Sequence, residues 1–329
     1  MREKFSKELT MTKGLVTVFG GSGFVGKHVV RALVRDGWRV RVPCRRPHTA
    51  QDLKVIGNVG QVQLMQANVR FPASVAKAVE GADAVINLVA VLYEEGKQSF
   101  ENLHVEGTAT IAQAAQSAGI TNFVQISALG ADSNSKSEYA RTKAAGEQAV
   151  RPLLPNADIM RPSIIFGEED NFFNRFAAMS QLAPALPLLG GGATKFQPVY
   201  VGDVADAIAK VVGAGTSGES YELGGPCVYS FKELLSFMLA SVGRKRPLVP
   251  VPWFCANMLG LAGEISSLVP FVAPFLTRDQ VTSLKTDNVV TDGAKGFEAL
   301  NIDTQTIEAI VPQYLERYRK YGQFHEKSA

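Results

Sequence analysis

Apolar residues in the first half of the chain come in short unbroken runs, each followed by a stretch whose apolar positions recur at helical spacing. Val16-Thr-Val-Phe19 predicts a buried strand, and Lys27 to Val34 predicts an amphipathic helix after it. Trp38–Val42 alternates as a second strand and Val62–Leu64 predicts a third. Ala84–Ala90 (AVINLVA) predicts a fourth, continuously apolar as befits a parallel strand covered on both faces. Glu101–Gly119 is a long alanine-rich helix closed by a glycine C-cap signal. Asn122–Ser127 supplies the fifth strand, Ser137–Val150 a helix, and Asp158–Arg161 the sixth strand. Strands alternating with helices predict an α/β fold with a doubly wound parallel sheet.

Beyond Phe166 the pattern loosens. A Pro/Gly-rich stretch, Leu182–Gly192, interrupts it, Val199–Val212 predicts a turn and helix, and Tyr221–Leu223 a last strand. Between Val249 and Leu276 charge nearly vanishes, Glu264 excepted, and prolines at 250, 252, 270 and 274 punctuate an apolar run with Trp253, Phe254, Met258 and Leu261. This segment is either core of a smaller lobe or a face laid against a partner. Thr306–Lys327 predicts an amphipathic terminal helix with Tyr314, Tyr318 and Tyr321 among charges. The expected division is a nucleotide domain at 12–166, to which 197–225 returns, and a smaller mixed C-terminal lobe from 167–196 and 226–329.

At 329 residues the chain can bury a sizeable core. Its net charge of +3 gives no argument for nucleic acid as a partner. Cys44, Cys227 and Cys255 are too far apart for a zinc pattern or a disulfide framework, which suits a reducing compartment. Met1–Met11 has no apolar core of a secretory signal, Glu3 and Glu8 argue against a mitochondrial presequence, and Met11 is an alternative start. No stretch reaches the roughly 20 apolar residues that span a bilayer.

The chemistry begins at Gly20-Gly21-Ser22-Gly23-Phe24-Val25-Gly26, between the first strand and its helix. A glycine turn there leaves the helix's free N–H groups and positive dipole end facing the sheet edge, where a pyrophosphate fits. A turn that only packs helix on strand also needs glycine. At the end of the second strand, where an acid would bind the ribose of NAD, stand Cys44-Arg45-Arg46. Two guanidinium groups suit a 2′-phosphate, so NADP(H) is expected over NAD(H), with a solvated basic loop as the plain alternative. Glu168-Glu169-Asp170 has no histidine or cysteine beside it and is expected to be a solvated turn, with no metal. His28, His48, His104 and His325 are scattered and form no ligand pair.

The G-x-x-G-x-x-G spacing resembles the extended and atypical branches of the short-chain dehydrogenase/reductase superfamily, whose nucleotide domain is a Rossmann sheet. That resemblance implies an adenine contact from Asn68-Val69, with Asn where the superfamily carries Asp, and a ribose and adenine wall from Leu88, Val89 and Ala90. It implies that Ser127 orients a substrate oxygen, Tyr139 exchanges a proton, and Lys143, at i+4, lowers the tyrosine's pKa and holds the ribose. The same pair could serve only as anchors for the cofactor. Arg161-Pro162-Ser163-Ile164-Ile165-Phe166-Gly167 resembles the turn that covers the nicotinamide.

The glycine motif, the arginine pair, R-P-S-I-I-F-G-E-E-D-N-F-F-N-R-F (161–176), Q-P-V-Y-V-G-D-V (197–204) and P-F-L-T-R-D-Q-V (274–281) together resemble the NAD(P)H-binding accessory subunits of respiratory complex I. The resemblance, from Gly14 to Tyr318, implies a non-catalytic subunit with a tightly held NADP(H). Such a subunit buttresses the junction of hydrophilic and membrane arms, with other complex I subunits as partners. It also implies lipid contact through 249–276 and a peripheral position on the cytoplasmic face of a bacterial inner membrane, or the matrix face of a mitochondrial one. The alternatives are a free NADP(H)-dependent oxidoreductase or epimerase using Tyr139 and Lys143, and an NmrA-like redox sensor.

Overall fold

The computed structural model describes residues 13–266, 274–320 and 322. In chain order the elements are β1 (Leu15–Phe19), α1 (Phe24–Arg35), β2 (Arg39–Cys44), β3 (Val62–Gln66), α2 (Pro72–Val79), β4 (Ala84–Asn87), α3 (Gly107–Ser117), β5 (Asn122–Ile126), α4 (Glu138–Val150) and β6 (Asp158–Pro162). There follow α5 (Phe173–Leu182), β7 (Leu186–Leu189), α6 (Val201–Ala214), β8 (Ser220–Leu223), α7 (Phe231–Ser241), β9 (Leu248–Val251), α8 (Trp253–Ser266), α9 (Arg278–Ser283) and α10 (Ile307–Leu315).

Seven strands form one parallel sheet in the order β8-β6-β5-β4-β1-β2-β3. Successive residues of the central strands feed opposite cores, because strand side chains alternate between faces. Val16 and Val18 pack with Val29, Leu33, Val204 and Ile208 from α1 and α6. Phe19, Val85 and Phe123 pack with Val75, Ile111 and Ala115 from α2 and α3. Both faces are therefore covered, which is why these strands carry unbroken apolar runs. The direction of winding reverses between β1 and β4, and the crevice outside their carboxyl ends is where such sheets take ligands.

β4 stops at Asn87, short of the predicted Ala90. The Asn87 amide explains the stop: its Oδ1 accepts from Val89 N (3.1 Å), and its Nδ2 donates to Thr108 Oγ1 (3.1 Å) and Gln125 Oε1 (2.9 Å), turning the chain out of the sheet. The predicted helix from Glu101 begins as one π-type turn, Glu101–Glu106, before α3. Gly119 ends it at φ 72°, as the C-cap signal requires.

The smaller lobe has its own core, centred on Phe166, Phe173, Phe176, Leu186, Phe231, Leu235, Met238, Val311 and Leu315. β7 and β9 pair in parallel within it. The predicted terminal helix is shorter than expected: Thr306 caps it through Ala309 N, and after Leu315 it tightens into a 3₁₀ turn at Glu316–Tyr318. Tyr321 and 323–327 lie outside the described residues, as do 267–273 of the apolar segment.

Within that segment α8 is turned the opposite way from an ordinary surface helix. Its small residues Ala256, Gly260 and Gly263 face inward, while Phe254 is 73% exposed, Met258 59% and Ile265 59%. A Cβ on Gly263 would sit 2.0 Å from the carbonyl oxygen of Leu276, so the backbones touch and only glycine fits. No helix of the described residues is long and apolar enough to cross a membrane.

Candidate functional site

A cavity of about 250 Å³ opens at the switch point between β1 and β4. Of the predicted residues, Gly20, Ser22, Gly23, Arg45, Asn68, Val69, Leu88, Val89 and Ala90 line it. Gly21 and Gly26 lie beneath, where α1 packs on the turn. A Cβ on Gly26 would stand 2.2 Å from Gly20 O and 2.5 Å from Gly21 Cα. Gly23 is different: it is exposed, its φ is −84°, and an added Cβ would meet only Gly20 O at 3.4 Å. Packing does not require glycine there, whereas close approach by a ligand does. Gly23 caps α1 without a side-chain hydrogen bond, and the first-turn N–H groups of Phe24, Val25 and Gly26 precede the first intrahelical bond, Lys27 N to Gly23 O at 3.0 Å. An arrangement of this kind can hold an anion.

The arginine pair divides. Arg45 stands at the cavity with its Nη1 donating to Gln98 Oε1 at 2.6 Å, whereas Arg46 is exposed outside the lining. The second guanidinium at the rim belongs to Arg70, which sequence reading missed, with Nη1 donating to Lys97 O at 3.4 Å. Its signal was faint: a lone arginine two residues after Asn68. Asn68 Oδ1 accepts from Arg70 N at 3.1 Å, so an adenine amino group would use its second lone pair.

Ser127, Tyr139 and Lys143 form a second group, beyond the cavity lining. Lys143 is 3% exposed and its Nζ donates to Ile126 O at 2.9 Å. Burial draws its ammonium down to about 8. Ser127 Oγ is buried and meets no hydrogen-bond partner among the described residues. A buried hydroxyl left unpaired costs about 1–3 kcal/mol, which a ligand oxygen or amide would recover. Tyr139 packs edge-on against His104 (5.5 Å between ring centres) and Phe100 (5.9 Å). Burial first, then the Asp279 carboxylate, push its phenol up to about 12, opposite to what a general base needs.

His104 links the two groups, a role its isolation in sequence concealed. Its Nε2 accepts from Val91 N (3.1 Å), which leaves Nδ1 to carry the proton toward Thr142 Oγ1 (3.1 Å) on α4. Burial, then the charge of Lys143, lowers it to about 3, so the ring is neutral. Pro162, Ser163 and Ile164 sit at the carboxyl end of β6, and Ser163 Oγ donates to Asn288 Oδ1 at 2.6 Å.

The acidic triplet departs from the expected solvated turn. Glu168 and Glu169 are exposed, but Asp170 is 3% exposed. Its carboxylate accepts from Gly167 N (3.2 Å), Phe172 N (2.9 Å), Asn174 N (3.1 Å) and Tyr314 OH (2.5 Å). Glu169 and Asp52 both pair with Lys27 on α1, at 3.3 and 3.1 Å. A wider groove of about 470 Å³ passes Glu147, Arg151 and Arg161, outside the predicted site. Its arginines are engaged by Glu147, Ser220 and backbone carbonyls.

The residues present fit a dinucleotide: a cradle where Gly23 leaves room, guanidinium groups at the adenosine end, and an orphaned buried hydroxyl with a lysine at the other. Residues 16–224 match the NAD dependent epimerase/dehydratase family. Over 318 residues the chain is 38% identical to the mitochondrial NADH dehydrogenase (ubiquinone) 1 alpha subcomplex subunit 9 of Arabidopsis thaliana, covering 94% of this chain and 79% of that one. It is 32% identical to the mitochondrial NADH-ubiquinone oxidoreductase 40 kDa subunit of Neurospora crassa, covering 92% and 79%. Among solved structures it resembles a dTDP-glucose 4,6-dehydratase from Streptomyces venezuelae with NAD bound (TM-score 0.63, 25% identity, 72% of this chain and 84% of that one). A quinone oxidoreductase from Escherichia coli complexed with NADPH shares the fold (TM-score 0.73, 18% identity, 91% and 99%).

Proposed function

The chain belongs to the NAD dependent epimerase/dehydratase family and, within it, to the group of complex I subunits, and from that premise we propose that it is a non-catalytic, NADP(H)-binding accessory subunit of respiratory complex I. It would help to assemble and stabilise the junction of the hydrophilic and membrane arms.

The observation that carries this reading is the inverted helix α8. The family match ends at residue 224, whereas similarity to the complex I subunits spans more than nine-tenths of the chain and takes in the smaller lobe. In that lobe α8 presents Phe254, Met258, Leu261 and Ile265 outward. Exposed apolar faces of this kind mark interaction surfaces. We assign the face to neighbouring complex I subunits. The chain would then lie peripherally on the membrane, facing the cytoplasm in a bacterium or the matrix in a mitochondrion.

Respiratory membranes solubilised in mild detergent should yield this chain co-migrating with NADH:ubiquinone oxidoreductase activity. Phe254→Glu with Leu261→Glu should abolish co-migration and leave the isolated chain's melting temperature within about 3 °C of wild type, because both side chains are exposed. A wild-type chain found only in the soluble fraction would overturn the assignment. Binding of the isolated chain to anionic phospholipid vesicles, lost in the double variant, would move this face from protein to lipid.

The phenol of Tyr139, pushed up to about 12, favours anchoring over turnover. NADP(H) is favoured over NAD(H) by Arg45 and Arg70, the two guanidinium groups at the rim. Arg45→Asp is expected to weaken NADPH about tenfold or more while changing NADH affinity less than threefold, and Arg70→Ala to act in the same direction. Isothermal titration checks this, and equal losses for the two nucleotides would remove the 2′-phosphate contact.

A further inference from the structure

Asp279 belongs to the smaller lobe, on α9, yet its hydrogen bonds go to the nucleotide domain. Its Oδ2 accepts from Ser137 Oγ (2.8 Å) and Tyr139 N (3.2 Å), and its Oδ1 accepts from Glu138 N (2.6 Å). Ser137 is the N-cap of α4, taking Ala140 N on its own oxygen (3.3 Å) and a further bond from Ser283 Oγ (3.0 Å). One carboxylate thus satisfies the first turn of the helix that carries Tyr139 and Lys143.

The other side of α9 leads to the docking helix. Thr277 and Gln280 close its first turn as a capping box. Gln280 Nε2 also donates to Leu92 O (3.1 Å), on the loop that walls the nucleotide cavity. Glu264 of α8 accepts from Arg278 N (2.9 Å) and pairs with its guanidinium (2.8 Å). Gly260 and Gly263 bring the α8 backbone against 276–278. The covering helix and the tyrosine are joined through one short element.

We infer that Asp279 is a positioning residue through which the smaller lobe fixes Tyr139 as a hydrogen-bond donor toward the dinucleotide and couples nucleotide retention to the seating of α8. This rests on the reading of the cavity as a nucleotide site. A carboxylate at the start of α4 offsets the positive end of the helix dipole, which would otherwise help a phenolate form nearby. The other groups facing Tyr139 do not replace it. His104 is neutral, Phe100 is apolar, and Lys143 spends a donor on Ile126 O.

The test uses the full chain with Asp279→Asn, which keeps the shape and one acceptor oxygen, and Asp279→Ala, which keeps neither. The Tyr139 phenol, read by NMR of ring-labelled tyrosine with Tyr139→Phe as the assignment control, should titrate about one pH unit lower in Asp279→Asn. NADPH should leave Asp279→Asn about tenfold faster, and Asp279→Ala faster still. A merely structural cap would lower thermal stability and leave the phenol where it was, which overturns the inference. The titration is decisive with or without bound nucleotide. A wild-type chain that retains no dinucleotide sinks the site reading separately.

Discussion

Gly26→Ala is expected to cost about 3 kcal/mol or more in folding stability and to abolish nucleotide retention. Its new methyl group would lie 2.2 Å from Gly20 O and 2.5 Å from Gly21 Cα, both backbone, so the collision cannot be relieved by a rotamer change. Either α1 tilts away from β1, opening the core that Val29 and Leu33 share with Val16 and Val18, or the turn deforms. Gly23→Ala is the matched control. Its Cβ would make one ordinary contact, so the fold should lose about 1 kcal/mol, the scale of a weakened N-cap. The same methyl would occupy the approach to the helix N-terminus, and NADPH affinity should fall at least about tenfold. Urea denaturation and nucleotide titration on the two variants separate a packing glycine from a ligand glycine. Loss of stability in Gly23→Ala equal to that in Gly26→Ala would erase the distinction.

The second large effect is expected at Asp170. Removing its carboxylate in Asp170→Ala leaves the N–H groups of Gly167, Phe172 and Asn174 and the Tyr314 hydroxyl without their acceptor in a buried site. Desolvated donors cost about 1–3 kcal/mol each, and relaxation or entering water recovers part, so a net loss of about 3–5 kcal/mol is expected. Burial raises this carboxyl's pKa, and its four hydrogen-bond donors offset that rise only in part. Tyr314→Phe removes one donor with its partner's other bonds intact and should cost about 1 kcal/mol. Chemical denaturation checks both, and a loss below about 1 kcal/mol for Asp170→Ala would show the network to be dispensable.

The sheet was legible because covered parallel strands leave unbroken apolar runs, and the glycine turn because strand, turn and helix must follow in that order. Strand ends were less so: Ala84–Ala90 is apolar throughout, and only the hydrogen bonds of Asn87 show where the ladder stops. The candidate site was legible where contacts are local in sequence. Tyr139 and Lys143 share a helix face by spacing alone. Arg46 stood beside Arg45 in sequence but lies outside the cavity lining, because β2 ends at Cys44 and the chain bends at Arg45, while Arg70 arrives from beyond the end of another strand. Asp170 looked like one acid in a solvated trio, because nothing local announces Tyr314. Asp279 lay in a distinctive stretch, T-R-D-Q-V, whose purpose was invisible until the fold brought it to a helix 140 residues away. Long-range polar contacts have no period.

The position of β8 also has a consequence for how the chain is made. The outermost strand of the main sheet is drawn from residues 220–223 and pairs with β6, which ended at 162. While the chain emerges from the ribosome, six strands can be complete with the β6 edge still bare, and α5, β7 and α6 must appear before that edge is closed. An unpaired parallel edge is a template for pairing with other chains. The vulnerable interval therefore falls in the middle of synthesis. It ends when Ser220–Leu223 docks on β6; Glu222 N bonds Lys295 O (2.8 Å) across the new border only once the C-terminal segment has followed. A message truncated between those points would yield a nascent polypeptide destined for chaperones or aggregation, even with every residue of the glycine cradle already translated.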